Sequence, residues 1–366
     1  MDKVNFSNSV EDYRTEKVIG KGASSVVYSA VHIPTKTNIA VKVIDLEEGI
    51  PFDVLAKELK VWKLLGAHEN VVQYHTSFVV DTKIWMAMEL MEYGSIGEIL
   101  KLDPFSSKGF EESLVASLLI QALKGLLYLH ENSYIHRDIK SGNILISKEG
   151  EVKLADFGGS IFLLERGVMR SGGAKTFVGT PCWMSPEIIE EKPYDEKTDV
   201  WSMGITAIEL ASGSPPRSKH TPLKILKKIV NDPPPRLPNS YSKNLRNFVS
   251  VCLQKDPKKR PTVAQLLKHR LFKGIEDPKK IILDSLVAKV PPLDQRVGKL
   301  EERKEKFAKL QQKVVWDYNI SKSEKSGSND EDDTSDSDNK SENENDDDSS
   351  ETDYLDSTDD WEEVGN

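Results

Sequence analysis

The chain has 366 residues, 38% hydrophobic and 30% charged, with a formal net charge of −9. That length allows a sizeable buried core and roughly two domains, and the acidic balance argues against a nucleic-acid partner. No apolar run approaches the ~18 residues of a membrane span, and the start MDKVNFSNSVEDY lacks a signal-peptide core. Cys182 and Cys252 are too few and too isolated for a disulfide framework or a zinc site, so a reducing cytoplasmic setting is expected, with a nuclear pool left open.

The opening third reads as β-rich. YRTEKVIG, SSVVYSAVH and NIAVKVIDL are short runs of β-branched and apolar residues separated by Gly, Pro or polar turns. Between the first two lies Ile19-Gly-Lys-Gly-Ala-Ser-Ser-Val-Val27. Gly20 and Gly22 let a backbone fold tightly over phosphates, although a plain glycine-bearing hairpin gives the same pattern. It has no Walker-type Gly-Lys-Ser/Thr ending. Lys42 ends the apolar run Ile39-Ala-Val-Lys42. It is either an edge-strand charge or a phosphate ligand held by an ion pair with Glu58. Glu58 falls in DVLAKELKVWKLLG, where Leu55, Leu59, Trp62 and Leu65 repeat at helical spacing.

From Glu111 onward helical patterns dominate, notably SLVASLLIQALKGLLYLH and VWSMGITAIELASG. Between them stands His136-Arg137-Asp138-Ile139-Lys140-Ser141-Gly142-Asn143, with Asp156-Phe157-Gly158 following. Phosphoryl transfer passes through a loose transition state, so a protein catalyses it mainly by positioning groups and neutralising charge. Asp138 suits acceptance of a substrate hydroxyl proton, Asn143 and Asp156 suit magnesium, and Lys140 suits the γ-phosphate. Any one of these polar residues occurs by chance in a capped turn; the ordered set does not.

These runs together resemble a eukaryotic protein kinase over roughly residues 13–272. The resemblance implies an α+β, bilobal fold with a small β-rich N-lobe and a larger helical C-lobe. It implies ATP, with magnesium or in its place manganese, as cofactors. The nucleotide set becomes Ile19, Gly20, Lys21, Gly22, Ala23, Ser24, Ser25, Val26, Val27, Ala40, Lys42, Met88, Glu89, Met91 and Leu145. Within that set Glu89 to Met91 is the hinge, Met88 the gatekeeper, and Leu145 the floor under the base. Glu187 is expected to pair with Arg260, and Asp199 to anchor the catalytic loop. Lys140, and Thr180 in VGTPCWM, mark the serine/threonine branch, with protein substrates.

The activation segment, 156–187, holds Ser171, Thr176 and Thr180; Thr176 is the expected target of an upstream activating kinase, with Arg137 receiving its phosphate. GTPCWMSPE, TSFVVDTKIWMAMEL, GSIGEILK and LQKDPKKRPT resemble the sterile-20 group, nearest its Fray, oxidative-stress-responsive and proline-alanine-rich subgroup. That likeness implies a role in stress or ion-homeostasis signalling. Ser185 replaces the usual alanine of the Ala-Pro-Glu motif. The rival reading is a pseudokinase that activates a partner; it predicts damage at Lys42, Asp138, Asn143 or Asp156, and all four are present.

Residues 273–320 read as a helical extension, with Val297, Leu300, Phe307, Leu310 and Val314 in a charged helical pattern. Residues 321–366 read as a disordered tail with 19 acidic and 3 basic residues, a net of −16 against +7 for the rest. On this reading the chain is expected to be too short for the folded peptide-docking domain of the animal relatives. Ser335, Ser341, Ser350 and Ser357 each precede an acidic residue by three, and the Tyr354–Trp361 patch suits a regulator of the tail.

Overall fold

The β-branched runs near the N-terminus are strands: β1 (Tyr13–Lys21), β2 (Ser25–His32) and β3 (Thr37–Asp45). With β4 (Tyr74–Val80) and β5 (Lys83–Glu89) they form an antiparallel sheet ordered β1-β2-β3-β5-β4. The computed structural model describes residues 6–22, 25–47, 62–63, 65–156 and 181–296, and only the backbone of 161–162.

Strand alternation divides β3 between two tasks. Ile39 and Val41 point to one side, where they join Tyr13, Ala30 and Ala87 in a small cluster. Ala40, Lys42 and Ile44 point to the other. Ile44 and Met86 enter the main core there, and Lys42 stands in register between Val27 on β2 and Met86 on β5. The same register sets Ala40 beside Met88. The period-2 pattern therefore brings the lysine and the expected base-contacting residues to one face.

Of the helix expected over 53–66, only Trp62, Lys63, Leu65 and Gly66 are among the described residues; Trp62 and Leu65 are buried. After β5 the chain runs through β6 (Gly94–Ser95), α1 (Ile96–Leu100, capped by Ser95), α2 (Phe105–Lys108) and the long α3 (Glu112–Glu131). By length and composition α3 is apolar enough to cross a bilayer, which the sequence reading did not anticipate. Its Leu118, Leu119, Ala122, Leu123 and Leu126 are fully buried in the core, which accounts for the apolarity without a membrane.

Short strands β7 (Tyr134–Ile135), β8 (Ile144–Ile146) and β9 (Val152–Leu154) follow, with β6, β8 and β9 forming one sheet. β10 (Ile161–Phe162) pairs with β7. Next come α4 (Pro186–Ile189) and α5 (Lys197–Ser212). Helix α5 is buried on nearly every side, as a helix at the centre of a lobe must be. It stops at Gly213, whose φ of +84° is the left-handed cap glycine tolerates best. Amphipathic α6 (Pro222–Asn231) packs on α4, amphipathic α7 (Lys243–Cys252) on α5, and α8 (Val263–Leu266), with a Thr262/Gln265 capping box, on α3.

The fold is the α+β, two-lobed arrangement that the resemblance implies: a β-sheet lobe and a helical lobe. The core does not end at residue 272. Helix α9 (Pro278–Ile282) packs on α3, and a π-helical turn (Leu283–Val287) follows it. Ile282 and Leu286 are fully buried, and Val290 and Leu293 nearly so. The helix expected across Val297–Val314 and the acidic tail lie outside the described residues.

Candidate active site

The catalytic loop is held from beneath by a buried carboxylate. Asp199, near the start of α5 and fully buried, accepts the backbone N–H groups of His136 and Arg137, each at 2.8 Å, and contacts His130 Nε2 at 2.9 Å. Burial alone would raise its pKa; His130 and the loop donors outweigh that and hold the carboxyl below its ordinary value. His136 lies 3.2 Å through Nε2 from the Ala155 carbonyl and accepts the Asp138 N–H at Nδ1, which fixes the tautomer with hydrogen on Nε2.

Above this floor Asp138 sits between two donors. Lys140 Nζ reaches its carboxylate oxygens at 3.0 and 2.8 Å. Asn143 Nδ2 donates to its Oδ2 at 2.7 Å and to its backbone carbonyl at 2.8 Å. With both amide hydrogens engaged, Asn143 keeps Oδ1 as the atom for a cation. The Asn143 carbonyl in turn accepts the Ala155 N–H at 2.9 Å, which places Asp156 next to this cluster.

Asp156 has φ of +64° and Arg137 +68°, conformations that cost a non-glycine residue energy and recur at functional sites. Lys42 Nζ lies 3.3 Å from Asp156 Oδ1. Burial pushes the Asp156 carboxyl up, and the Lys42 ammonium pulls it back below its ordinary value. The two oxygen donors, Asn143 and Asp156, suit a hard divalent cation that shares its remaining coordination with phosphate. Among the described residues no cluster of three or more His, Cys, Asp or Glu could cage a metal alone.

The upper wall is the β1–β2 hairpin. Gly20 pairs with Val27 and Lys21 with Val26, and the Gly22 N–H donates to the Ser25 carbonyl at 2.7 Å. A Cβ on Gly22 would sit 2.7 Å from Ser25 Oγ, whereas one on Gly20 would make ordinary contact with Val27 at 3.5 Å. The motif is a hairpin, as one of its two readings has it, and its second strand pairs with β3 so that Val27 stands beside Lys42. Ile19 stands in β1, and Met88 is the penultimate residue of β5, with Ala40 across from it.

Glu89 is pinned by its side chain as well as its backbone. Its Oε1 accepts Lys153 Nζ at 2.5 Å, its Oε2 accepts the Gln73 N–H at 3.1 Å, and its own N–H donates to the Gln73 carbonyl at 2.9 Å. Met91 is buried and its carbonyl accepts the Gly94 N–H at 2.9 Å. Leu145, on β8, pairs with Ser95 and Lys153.

Glu187 and Arg260 meet as expected, in a buried two-pronged pair at 2.6 and 2.8 Å, with the guanidinium 5.2 Å from the Trp201 ring centre. Ala23, Ser24, Glu58, Thr176 and Thr180 lie outside the described residues. Arg137 packs its guanidinium 5.8 Å from the centre of the Tyr194 ring. Sequence reading missed Glu209. This buried residue of α5 accepts Ser141 Oγ at 2.5 Å, the Ser141 N–H at 3.2 Å and Trp183 Nε1 at 3.0 Å, tying the catalytic loop to the last part of the activation segment. Its pKa is raised by burial. A carboxylate inside the apolar run ITAIELAS was the available signal.

This constellation has counterparts in known proteins. The protein kinase domain model matches residues 13–272. The chain belongs to the protein kinase family. Serine/threonine-protein kinase fray2 of Dictyostelium discoideum is 42% identical over 312 residues, covering 84% of this chain and 30% of the relative. Germinal center kinase 3 of Caenorhabditis elegans is 39% identical over 290 residues, covering 74% and 48%. Fray1 of Dictyostelium discoideum is 38% identical over 298 residues, covering 80% and 51%. These are sterile-20-family kinases, the group the motifs resemble. The chain spans about a third to a half of the length of these relatives. A protein kinase domain implies ATP and a divalent metal ion, which the oxygen donors at Asn143 and Asp156 fit.

Proposed function

We propose that the chain is a serine/threonine protein kinase of the sterile-20 group that transfers the ATP γ-phosphate to hydroxyls of protein substrates. The observation that carries this reading is Asp138, held between Lys140 and Asn143 on a loop fastened to Asp199. A substrate hydroxyl over Asp138 gives its proton to the carboxylate as its oxygen attacks the γ-phosphorus and the β–γ bridging bond breaks. Lys140 stays beside Asp138 to offset charge on the transferring group, and Lys42 steadies the α- and β-phosphates. Magnesium, when bound, would neutralise phosphate charge at Asn143 and Asp156. Ile19 to Val27 cover the nucleotide from above; Ala40, Met88, Glu89, Met91 and Leu145 surround the base.

Further parts of the proposal concern control. Phosphorylation of Thr176 by an upstream kinase orders the activation segment through Arg137, and the pathway is stress or ion-homeostasis signalling in the cytoplasm, as the fray likeness suggests. Replacing Thr176 by Ala is expected to leave a slow enzyme that the upstream kinase does not activate; full activity in that variant contradicts this part.

Radiolabelled ATP transfer to a generic basic protein, comparing wild type with Asp138→Ala, tests the main reading. Label on serine and threonine that vanishes in the variant is expected. No transfer by wild type, even after phosphorylation of Thr176, favours the pseudokinase instead.

A further inference from the structure

The family match ends at residue 272, yet the chain continues over the helical lobe and returns to the hinge. There the Leu293 N–H donates to the Glu92 carbonyl at 2.8 Å. Its side chain, 7% exposed, covers Gly94: a Cβ on that glycine would come within 2.9 Å of Leu293 Cδ2, and Gly94 also has φ of +64°. Arg296, 4% exposed, donates through Nη2 to the Tyr93 carbonyl and through Nε to the Pro291 carbonyl at 2.9 Å. Exposed Lys17 of β1 adds a weak link to Asp294 at 3.6 Å.

The segment these residues grip is short and connected. The Tyr93 N–H donates to the Ile146 carbonyl on β8 beside Leu145, and the Gly94 N–H donates to Met91, the last hinge residue. We infer that residues 291–296 form a strap that positions the nucleotide-binding hinge, with Leu293 and Arg296 as its positioning residues. A buried guanidinium is costly to place unless its donors are engaged, so its location argues that the contact is specific. Two of its nitrogens hold carbonyls. Nη1 is buried without a hydrogen-bond partner, as is Glu98 Oε2; the Glu98 carboxylate, paired with Lys101 at 2.6 Å, offsets the burial of the guanidinium only in part.

The consequence is that nucleotide affinity depends on residues outside the matched domain. The sheet fixes the hinge from one side through Glu89, and the strap fixes it from the other through Tyr93 and Gly94. Leu293 and Arg296 act on the hinge backbone and stand outside the expected nucleotide set, so their loss raises the KM for ATP and leaves kcat at saturating ATP nearly unchanged.

This inference rests on the kinase reading only for the identity of the ligand, and the test separates the two. Binding of a fluorescent ATP analogue, thermal unfolding and amide hydrogen exchange over 91–94 are measured on the full chain. The variants are Leu293→Ala, Arg296→Ala, Arg296→Lys and Val290→Ala, the last being a buried core residue just before the strap. Leu293→Ala and Arg296→Ala are expected to weaken analogue binding by about tenfold and to speed exchange over 91–94, with Arg296→Lys intermediate. Val290→Ala is expected to lower the unfolding temperature alone. Unchanged hinge exchange in Arg296→Ala, or affinity that falls equally in Val290→Ala, overturns the strap. A wild type that binds the analogue but transfers no phosphate defeats the kinase reading and leaves this test intact. If Arg296→Ala does not fold, Arg296→Lys and Leu293→Ala decide by the same readouts.

Discussion

The catalytic loop and the glycine-bearing hairpin face one cleft and are held by opposite means. The loop is fastened by buried carboxylates, with Asp199 gripping two of its backbone N–H groups and Glu209 gripping Ser141. The hairpin is held at Gly20, Lys21 and Gly22 by backbone pairing. The difference follows from the chemistry. A base must meet a reacting oxygen within a few tenths of an ångström, which rewards preorganisation, whereas a cover over phosphates needs close backbone approach and few side chains.

The largest expected effect on the anchored side comes from the buried pair beneath it. Arg260→Ala strands Glu187, whose side chain is 5% exposed, and should cost about 3–5 kcal/mol, read as a fall in the denaturant midpoint. A loss under about 1 kcal/mol would show that the carboxylate finds other partners.

Next is Asp199→Asn, which keeps the shape and removes the charge that two N–H groups share. We expect kcat to drop about a hundredfold while nucleotide affinity changes little, because the damage is to orientation at Asp138. The same substitution should alter the acid limb of stability. Asp199 has its folded pKa below the ordinary 3.8, so its stabilisation is fully present above that value and is lost as pH falls through the depressed one. Acid unfolding followed by circular dichroism should lose that component in Asp199→Asn; an identical acid limb would contradict the assignment.

The smallest effects belong to the hairpin and sharpen the contrast. Gly22→Ala places a Cβ 2.7 Å from Ser25 Oγ and should weaken ATP binding by about threefold to tenfold; Gly20→Ala, with 3.5 Å of room, should change it less than twofold. Equal effects would show that steric room at this turn does not govern nucleotide affinity.

How much of this was legible beforehand depends on sequence distance. His136 to Asn143 and Asp156 could be read because the chemistry is concentrated in one loop and one short motif. The strands β1 to β3 and the helices α3 and α5 could be read because burial on one face or all faces imprints a period on the chain. The supports were harder to see. Glu209 meets a serine 68 positions away, Lys153 meets Glu89 across 64, and Arg296 meets Tyr93 across 203. No local spacing records such pairs. Only the anomaly of a charge within an apolar run marks Glu209, and nothing comparable marks Arg296.

The most direct measurement is nucleotide binding alongside single-turnover transfer to a serine or threonine peptide, for wild type and Asp138→Asn. The account predicts binding within about twofold of wild type and transfer reduced by roughly a thousandfold, since Asp138 meets the hydroxyl and not the nucleotide. Transfer that survives the substitution, or a wild type that binds ATP and never passes phosphate on, would contradict it.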